Sequence, residues 1–386
     1  MNKPAGFEPV ERARALAPLL AREADEIERT RRLTPAVVSA LIENGLYRML
    51  LPRTQGGAEV APETFMQTLE EVAKTDASTA WCLGQCCVCA MVAAYLDPAA
   101  AREIFESPRS ILAWGAINGE VHAVPGGYRA TGRWDFASGS RQASWLGAHV
   151  QIVDADGMKR RHPDGAPVIR TILFPATSAT LHDVWDAIGL RGTGTDSYSV
   201  DDLFVPEKFA APRDELAARR ESGTLYRFSS YFVFALGFAS VALGVARGTL
   251  DAAADLARGK ASVGVKPMRD NHVVQATIGR GEADLRAARA YLYATTAEVW
   301  RDLMRGGELT EDHRIALRLA STWTIHRAVS VVDAAYHMSG ATAVFRANAF
   351  ERRFRDIHAI AQQIQARDSH YESVGQLILG RSNAPA

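Results

Sequence analysis

Cysteine is scarce in this chain: there are four, and all lie in one stretch, CLGQCCVC at 82–89. Crowded onto a single expected helix, they cannot staple distant segments, which argues against a secreted disulfide framework. Cys86 and Cys89 spell C-x-x-C, yet no second such pair, nearby histidine pair or βαβ pattern completes a zinc or redox set. Small buried thiols are therefore expected, and no metal. An excess of one charge is also missing, since 44 basic and 44 acidic residues give a net charge of zero. That removes any broad electrostatic drive toward nucleic acid or an anionic membrane. No uninterrupted apolar run reaches membrane-spanning length; the longest candidate is 231–246. The opening MNKPAGFEPVERARALAPLL carries charges where a leader needs an unbroken apolar core. A cytoplasmic protein is expected. Nucleotide fingerprints are absent too: GLRGTGTDS at 189–197 lacks the third glycine of a dinucleotide loop and nothing matches a Walker A motif, so no NAD(P)H unit is expected.

At 386 residues the chain exceeds the usual single core, and two or three packed units are expected. Up to about residue 110 the spacing predicts helices. TPAVVSALIENGLYRML opens on a threonine cap with proline in the first turn, and the stretch from 77 to 96 holds no charge and reads as a buried helix. From 111 to 212 the pattern changes to strands, at 111–117, 128–136, 144–153, 168–174, 181–185 and 198–204. From 213 to 386 long amphipathic stretches return and suit a four-helix bundle. The fold class is α+β, mainly α: an N-terminal helical domain (1–110), a central β-barrel or sandwich (111–212) and a C-terminal bundle (213–386).

Within the β region, GRWDFASGS at 132–140 sets two aromatics two apart and then Ser-Gly-Ser. Strand alternation puts Trp134, Phe136 and Ser138 on one face. The rings either cover a sheet core or form a shelf for a flat cofactor with Ser138 as its hydrogen-bonding handle, and local pattern leaves both open.

The order helical, β, helical, together with ENGLYRMLLPRTQGGAEV, GGYRATGRWDFASGS, VWDAIGLRGTGTDSYSVDDLFVPEKF and HMSGATAVFRANAFERRFRDIHAIAQQ, resembles the acyl-CoA dehydrogenase superfamily over about residues 9–380. GRWDFASG and RDIHA look most like the oxygenase components of two-component (group D) flavin-dependent monooxygenases. The resemblance implies a reduced FMN or FAD, delivered by a separate NAD(P)H-flavin reductase and held between β domain and bundle in a homotetramer, a dimer of dimers. It also implies that the flavin and O2 form a C4a-hydroperoxide that oxygenates a small aromatic or heteroatom-containing substrate. On this reading Trp134 and Phe136 lie along the isoalloxazine, and Ser138 with Gly139 sits at its N5 and C4a edge. Ser339, Gly340 and Ala341 either meet the phosphate or adenine side or merely break a helix. Arg355, like Arg227, either meets an anionic flavin group or forms ion pairs. Trp81 either flanks the substrate or is core.

Dehydrogenases of the superfamily need a carboxylate base near the ring. Here Gln362, Gln363 and Ile364 stand where it follows the Arg355-Asp356 pair, and FSSYFVFALGFASVALGVARG, the other usual location, has no acid. An oxygenase has no need of that base. Phenol hydroxylases of the group place histidines where this chain has Gln363 and, on the earlier helix, Cys89 or a neighbour. Glutamine holds a fixed charge and cannot exchange protons near neutral pH, so a substrate that is already nucleophilic is implied. Ser138, Gln363 and Cys89 are the catalytic candidates; His358 reads as structural. A flavin dehydrogenase with an unusual base, and a flavin-binding scaffold, are the alternatives.

Overall fold

Capping signals written in the chain set the first helices. The computed structural model describes residues 6–213, 215–260 and 267–380; the remaining residues, at the outer ends of the first and third expected units and within the third, lie outside the described set. Helices α1 (Pro9–Ala15), α2 (Ala17–Thr30) and α3 (Pro35–Glu43) each start with proline in the first turn, where its missing N–H costs nothing. The Thr34 hydroxyl accepts from the Val37 N–H. After a Gly-Gly break come α4 (Pro62–Ala73), α5 (Ala77–Ala90) and α6 (Pro98–Phe105). Asp76 caps α5 by accepting the Thr79 N–H at 2.6 Å, and every residue of α5 is buried.

The strands are β1 (Leu112–Val124), β2 (Gly127–Ala137), β3 (Trp145–Val153), β4 (Ile169–Pro175), β5 (Thr180–His182), β6 (Asp196–Pro206) and β7 (Ala210–Ala211). They form one mixed sheet of order β5-β6-β2-β1-β3-β4-β7, with β1 and β3 parallel and the other neighbours antiparallel. The strand expected at 181–185 stops at His182. The Val184 and Trp185 N–H groups turn instead to the Asp196 carboxylate at 3.2 Å, which satisfies them outside the ladder.

Three long helices follow, α7 (Ser230–Gly259), α8 (His272–Met304) and α9 (Glu311–Ser339), and α10 (Ala349–Ile360) closes the four-helix bundle against α7 and α9; α11 (Ser369–Ile378) ends the described chain. Glycine lets α7 lie against α4: a Cβ on Gly244 would come within 2.4 Å of the Glu70 carbonyl, and one on Gly248 within 2.4 Å of Lys74's. A half-buried ion pair ties α8 to the same helix, Glu70 accepting from Arg289 Nε at 3.0 Å and from the Tyr293 hydroxyl at 2.8 Å.

The expectation about apolar length needs correction. Two helical stretches, Ala77–Tyr95 and Ser230–Gly259, are long and apolar enough to cross a membrane. Both are buried inside the fold, which uses them as core helices packed on one another.

Candidate functional site

The end of β2 breaks its own alternation. The β2–β6 register slips between Trp134 and Ala137, and Phe136 takes φ 60°, a left-handed conformation unusual for a bulky residue and typical of a bulge. The break sends the two rings to different faces, contrary to the simple strand pattern. Trp134 is 0% exposed, with Tyr198 stacked at 5.8 Å and its Nε1 donating to the His149 carbonyl at 3.2 Å. Its ring fills the space over Gly119 and Gly132, where a Cβ would come within 2.8 and 2.9 Å. Phe136 is 60% exposed. The shared aromatic shelf is therefore not built by these two residues; Trp134 belongs to the sheet core.

Ser138 follows at once and is buried. Its Oγ accepts from the Trp81 indole N–H at 3.0 Å and lies 2.7 Å from Thr195 Oγ1, which lies 2.7 Å from Thr193 Oγ1. Thr193 Oγ1 donates to the Leu190 carbonyl at 2.7 Å. Leu190 is a junction: its carbonyl also accepts from Trp185 Nε1 at 2.9 Å, and its N–H is held by the Asp356 carboxyl at 2.6 Å. Burial raises that carboxyl to about 7. One hydrogen-bonded path thus joins α5, the ends of β2 and β6, and α10. Gly139, at φ 81°, makes the turn out of β2 and presses against α5, its missing Cβ leaving room for Cys86 Sγ.

Trp81 does more than border this path. Its ring stacks on Phe238 of α7 at 3.7 Å and 7°, and Phe238 stacks on Phe234 at 5.8 Å. Gln85 and Cys89, one and two turns further along α5, share its face. Gln85 Nε2 lies 3.4 Å from the Trp114 carbonyl and 3.6 Å from Cys89 Sγ. The Arg213 guanidinium covers the Trp114 ring at 5.3 Å and donates to Ser230 Oγ. His149, edge-on to Trp114 and bonded through Nδ1 to Thr171 Oγ1 at 2.9 Å, is held neutral by burial and by Arg213. Burial also keeps the Cys89 thiol protonated, its pKa pushed well up. Cys89 therefore cannot serve as an acid-base group near neutral pH.

The other candidates are not gathered there. Gln363 does not continue a helix, because α10 ends at Ile360; it caps a short turn, accepting from the Gln365 N–H at 3.4 Å, while its Nε2 is buried with no hydrogen-bond partner among the described residues. His358 pairs with Asp333 at 2.9 Å. Ser339 turns its hydroxyl back onto the Ala335 carbonyl at 2.8 Å; Gly340 caps α9, and Ala341 begins the short turn after it. Arg355 is engaged with Glu351, Glu28 and the Ile188 carbonyl, and Arg227 with the Gly306 and Gly307 carbonyls.

Sequence reasoning missed two features. Thr193 and Thr195 were hidden in GLRGTGTDS, read for its glycines, although two hydroxyls two apart were the signal. His370, seven residues past Gln363, is buried against Thr322. Because the Thr322 hydroxyl donates to the Gln365 carbonyl at 2.8 Å, His370 Nδ1 must be the donor to Thr322, which leaves Nε2 as an acceptor. Burial, then Arg318 and Arg367, lowers its pKa and holds it neutral.

Residues 11–105 match the model of the acyl-CoA dehydrogenase N-terminal domain, and residues 236–367 that of the C-terminal domain. A pigment production hydroxylase from Rhodococcus erythropolis is 30% identical over 92% of this chain and 91% of its own. The oxygenase subunit HsaA of a flavin-dependent monooxygenase from Rhodococcus jostii is 28% identical, covering 91% of this chain and 92% of its own. Among solved structures, a 3-HSA hydroxylase from Rhodococcus sp. RHA1 superposes with a TM-score of 0.90 over 98% of both chains at 25% identity.

Proposed function

The chain belongs to the acyl-CoA dehydrogenase family, among its flavin-dependent monooxygenases, and from that membership we propose that it is the oxygenase component of a two-component system. It takes reduced FMN or FAD from a separate NAD(P)H-flavin reductase, as expected of an oxygenase without a nicotinamide site of its own, and works in the cytoplasm where that reductant is regenerated. The β unit (111–212) and the bundle (213–386) would hold the flavin between them. The observation that carries this reading is the Ser138 hydroxyl, held by Trp81 and Thr195 with one lone pair to spare. Together with the exposed Phe136 ring, it suits a flat heteroaromatic that has a ring N–H at its edge.

Bound reduced flavin supplies the reaction with dioxygen that delivers one oxygen atom to the substrate. The chain's residues do the rest. Ser138 holds the ring edge by accepting a hydrogen. Gln363 donates an amide hydrogen without changing charge. The stacked pair Trp81 and Phe238 excludes water behind Ser138. A small aromatic substrate lies against the α5 face, its polar end toward Gln85 and Arg213, and His370 receives a proton through Nε2. Arg213 favours a substrate with an acidic group at that end. Ser339, Gly340 and Arg355 hold loop and helix ends by their intramolecular bonds, and the exposed apolar residues Phe345, Ile378 and Leu379 suit contacts in a homotetramer.

The test supplies the purified chain with FMN or FAD reduced by an independent reductase, isotopic dioxygen and a panel of acidic and neutral aromatics. The expected outcome is one labelled oxygen in an aromatic product, with the preferred flavin set by yield. Oxidation of an acyl thioester with no label in any product would sink the proposal.

A further inference from the structure

The hydroxyl chain behind Ser138 has a direction. A carbonyl oxygen carries no hydrogen, so Thr193 must spend its single hydroxyl hydrogen on Leu190. Thr193 can then only accept from Thr195, and Thr195, its hydrogen spent, can only accept from Ser138. Trp81 Nε1 is a donor and nothing else, so Ser138 accepts there. The order is fixed from Trp81 to Ser138 to Thr195 to Thr193 to the Leu190 carbonyl, and the Asp356 bond to the Leu190 N–H anchors its far end. Ser138 is left with a spent hydrogen and one lone pair.

We propose that Thr193 and Thr195 are positioning residues that lock Ser138 as an acceptor, so that the site selects reduced flavin, which bears a hydrogen on N5, over oxidised flavin, which presents a lone pair there. The inference rests on the reading that Ser138 lies at that edge of the flavin. Acceptor meets donor in the reduced form. In the oxidised form two acceptors face each other, and Ser138 cannot turn its hydrogen without giving up its bond to Thr195. One hydrogen bond made or missed is worth roughly five- to tenfold in binding, so the preference for reduced flavin should be at least about fivefold. A tenfold ratio raises the two-electron potential of bound flavin by about 30 mV relative to free flavin.

The experiment measures dissociation constants of oxidised and anaerobically reduced FMN and FAD, and the bound potential, for the parent, Thr195→Val, Thr193→Val, Thr195→Ser and Ser138→Ala, each first checked for an unchanged melting temperature. Thr195→Val frees the Ser138 hydrogen and should shrink the reduced-to-oxidised preference roughly five- to tenfold. Thr193→Val, two links away, should shrink it in the same direction because Thr195 is then free to donate to Ser138. Thr195→Ser keeps the relay and should match the parent. If Ser138→Ala loses the preference while both valine variants keep it, the relay is wrong and the placement of Ser138 stands. If Ser138→Ala too matches the parent, Ser138 does not touch the flavin, and both the placement and the relay fall.

Discussion

Asp356→Asn tests the anchor of the site through stability alone. The carboxyl is 3% exposed and accepts the Leu190 N–H at 2.6 Å. Burial raises its pKa first and most; the Leu190 bond lowers it, Asp76 and Glu28 raise it further, and Arg352 opposes them. The net result is about 7 in the fold against 3.8 for a solvated aspartate. That gap corresponds to about 4 kcal/mol. The sign follows from where the proton sits. Below about pH 4 both folded and unfolded chains hold it; between there and about 7 the unfolded chain releases it and the folded chain does not. The stability that protonated Asp356 contributes is therefore lost as pH rises through that window and is flat above it. Asparagine keeps the Leu190 acceptor and has nothing to ionise. For 386 residues unfolding as one unit, about 4 kcal/mol is about 5 °C. The melting temperature of the variant minus that of the parent should thus climb by about 5 °C between pH 4.5 and 8. A difference that stays constant across that range would refute the buried neutral carboxyl and the anchoring role built on it.

Other outcomes follow from the same geometry. The purified chain alone should barely oxidise NADH, and turnover should appear on adding a competent flavin reductase; efficient oxidation by the chain by itself would contradict a two-component system. Gln363→His should introduce an ionisation between about pH 6 and 8 into the rate profile, and Gln363→Ala should release more hydrogen peroxide per reduced flavin consumed. If both behave as the parent does, Gln363 lies outside the site. Gly119→Ala pushes a methyl into the Trp134 ring and should cost about 1–3 kcal/mol in denaturant unfolding, while reduced-flavin affinity of the folded protein is unchanged. A selective loss of flavin affinity would return Trp134 to the cofactor.

The helical parts of the fold were open to reading because their signals are local. Thr34 before Pro35, the uncharged stretch around Trp81 and the near-absence of charge from Tyr231 to Ala246 each report a cap or a buried face, and a residue's neighbours along the chain are enough to interpret them. The end of α10 was not open in that way. AIAQQIQARD contains no glycine or proline, and the helix stops where the Thr322 hydroxyl and the His326 Nε2–H of α9 donate to carbonyls of the next turn, those of Gln365 and Ala366, each at 2.8 Å. That is tertiary hydrogen bonding, with no mark in the local sequence.

The same distinction explains the site. Alternation from Trp134 to Phe136 to Ser138 is a rule for an unbroken strand, and the φ of 60° at Phe136 ends its validity between the first residue and the second. Nothing in GRWDFASGS announces the break, since phenylalanine is among the residues least suited to that conformation. The break is held from outside: Ala137 re-pairs with Asp196 on β6, and Asp196 is itself fixed by Arg141 and by the Val184 and Trp185 N–H groups. Its consequence is to bring Ser138 under Trp81 and beside Thr195, which an unbroken strand would not do. The surroundings of Ser138 come from outside the motif: its hydroxyl is bonded to a threonine 57 residues later in the chain and to a tryptophan 57 residues earlier, and its capacity as an acceptor is set by where their hydrogens must point.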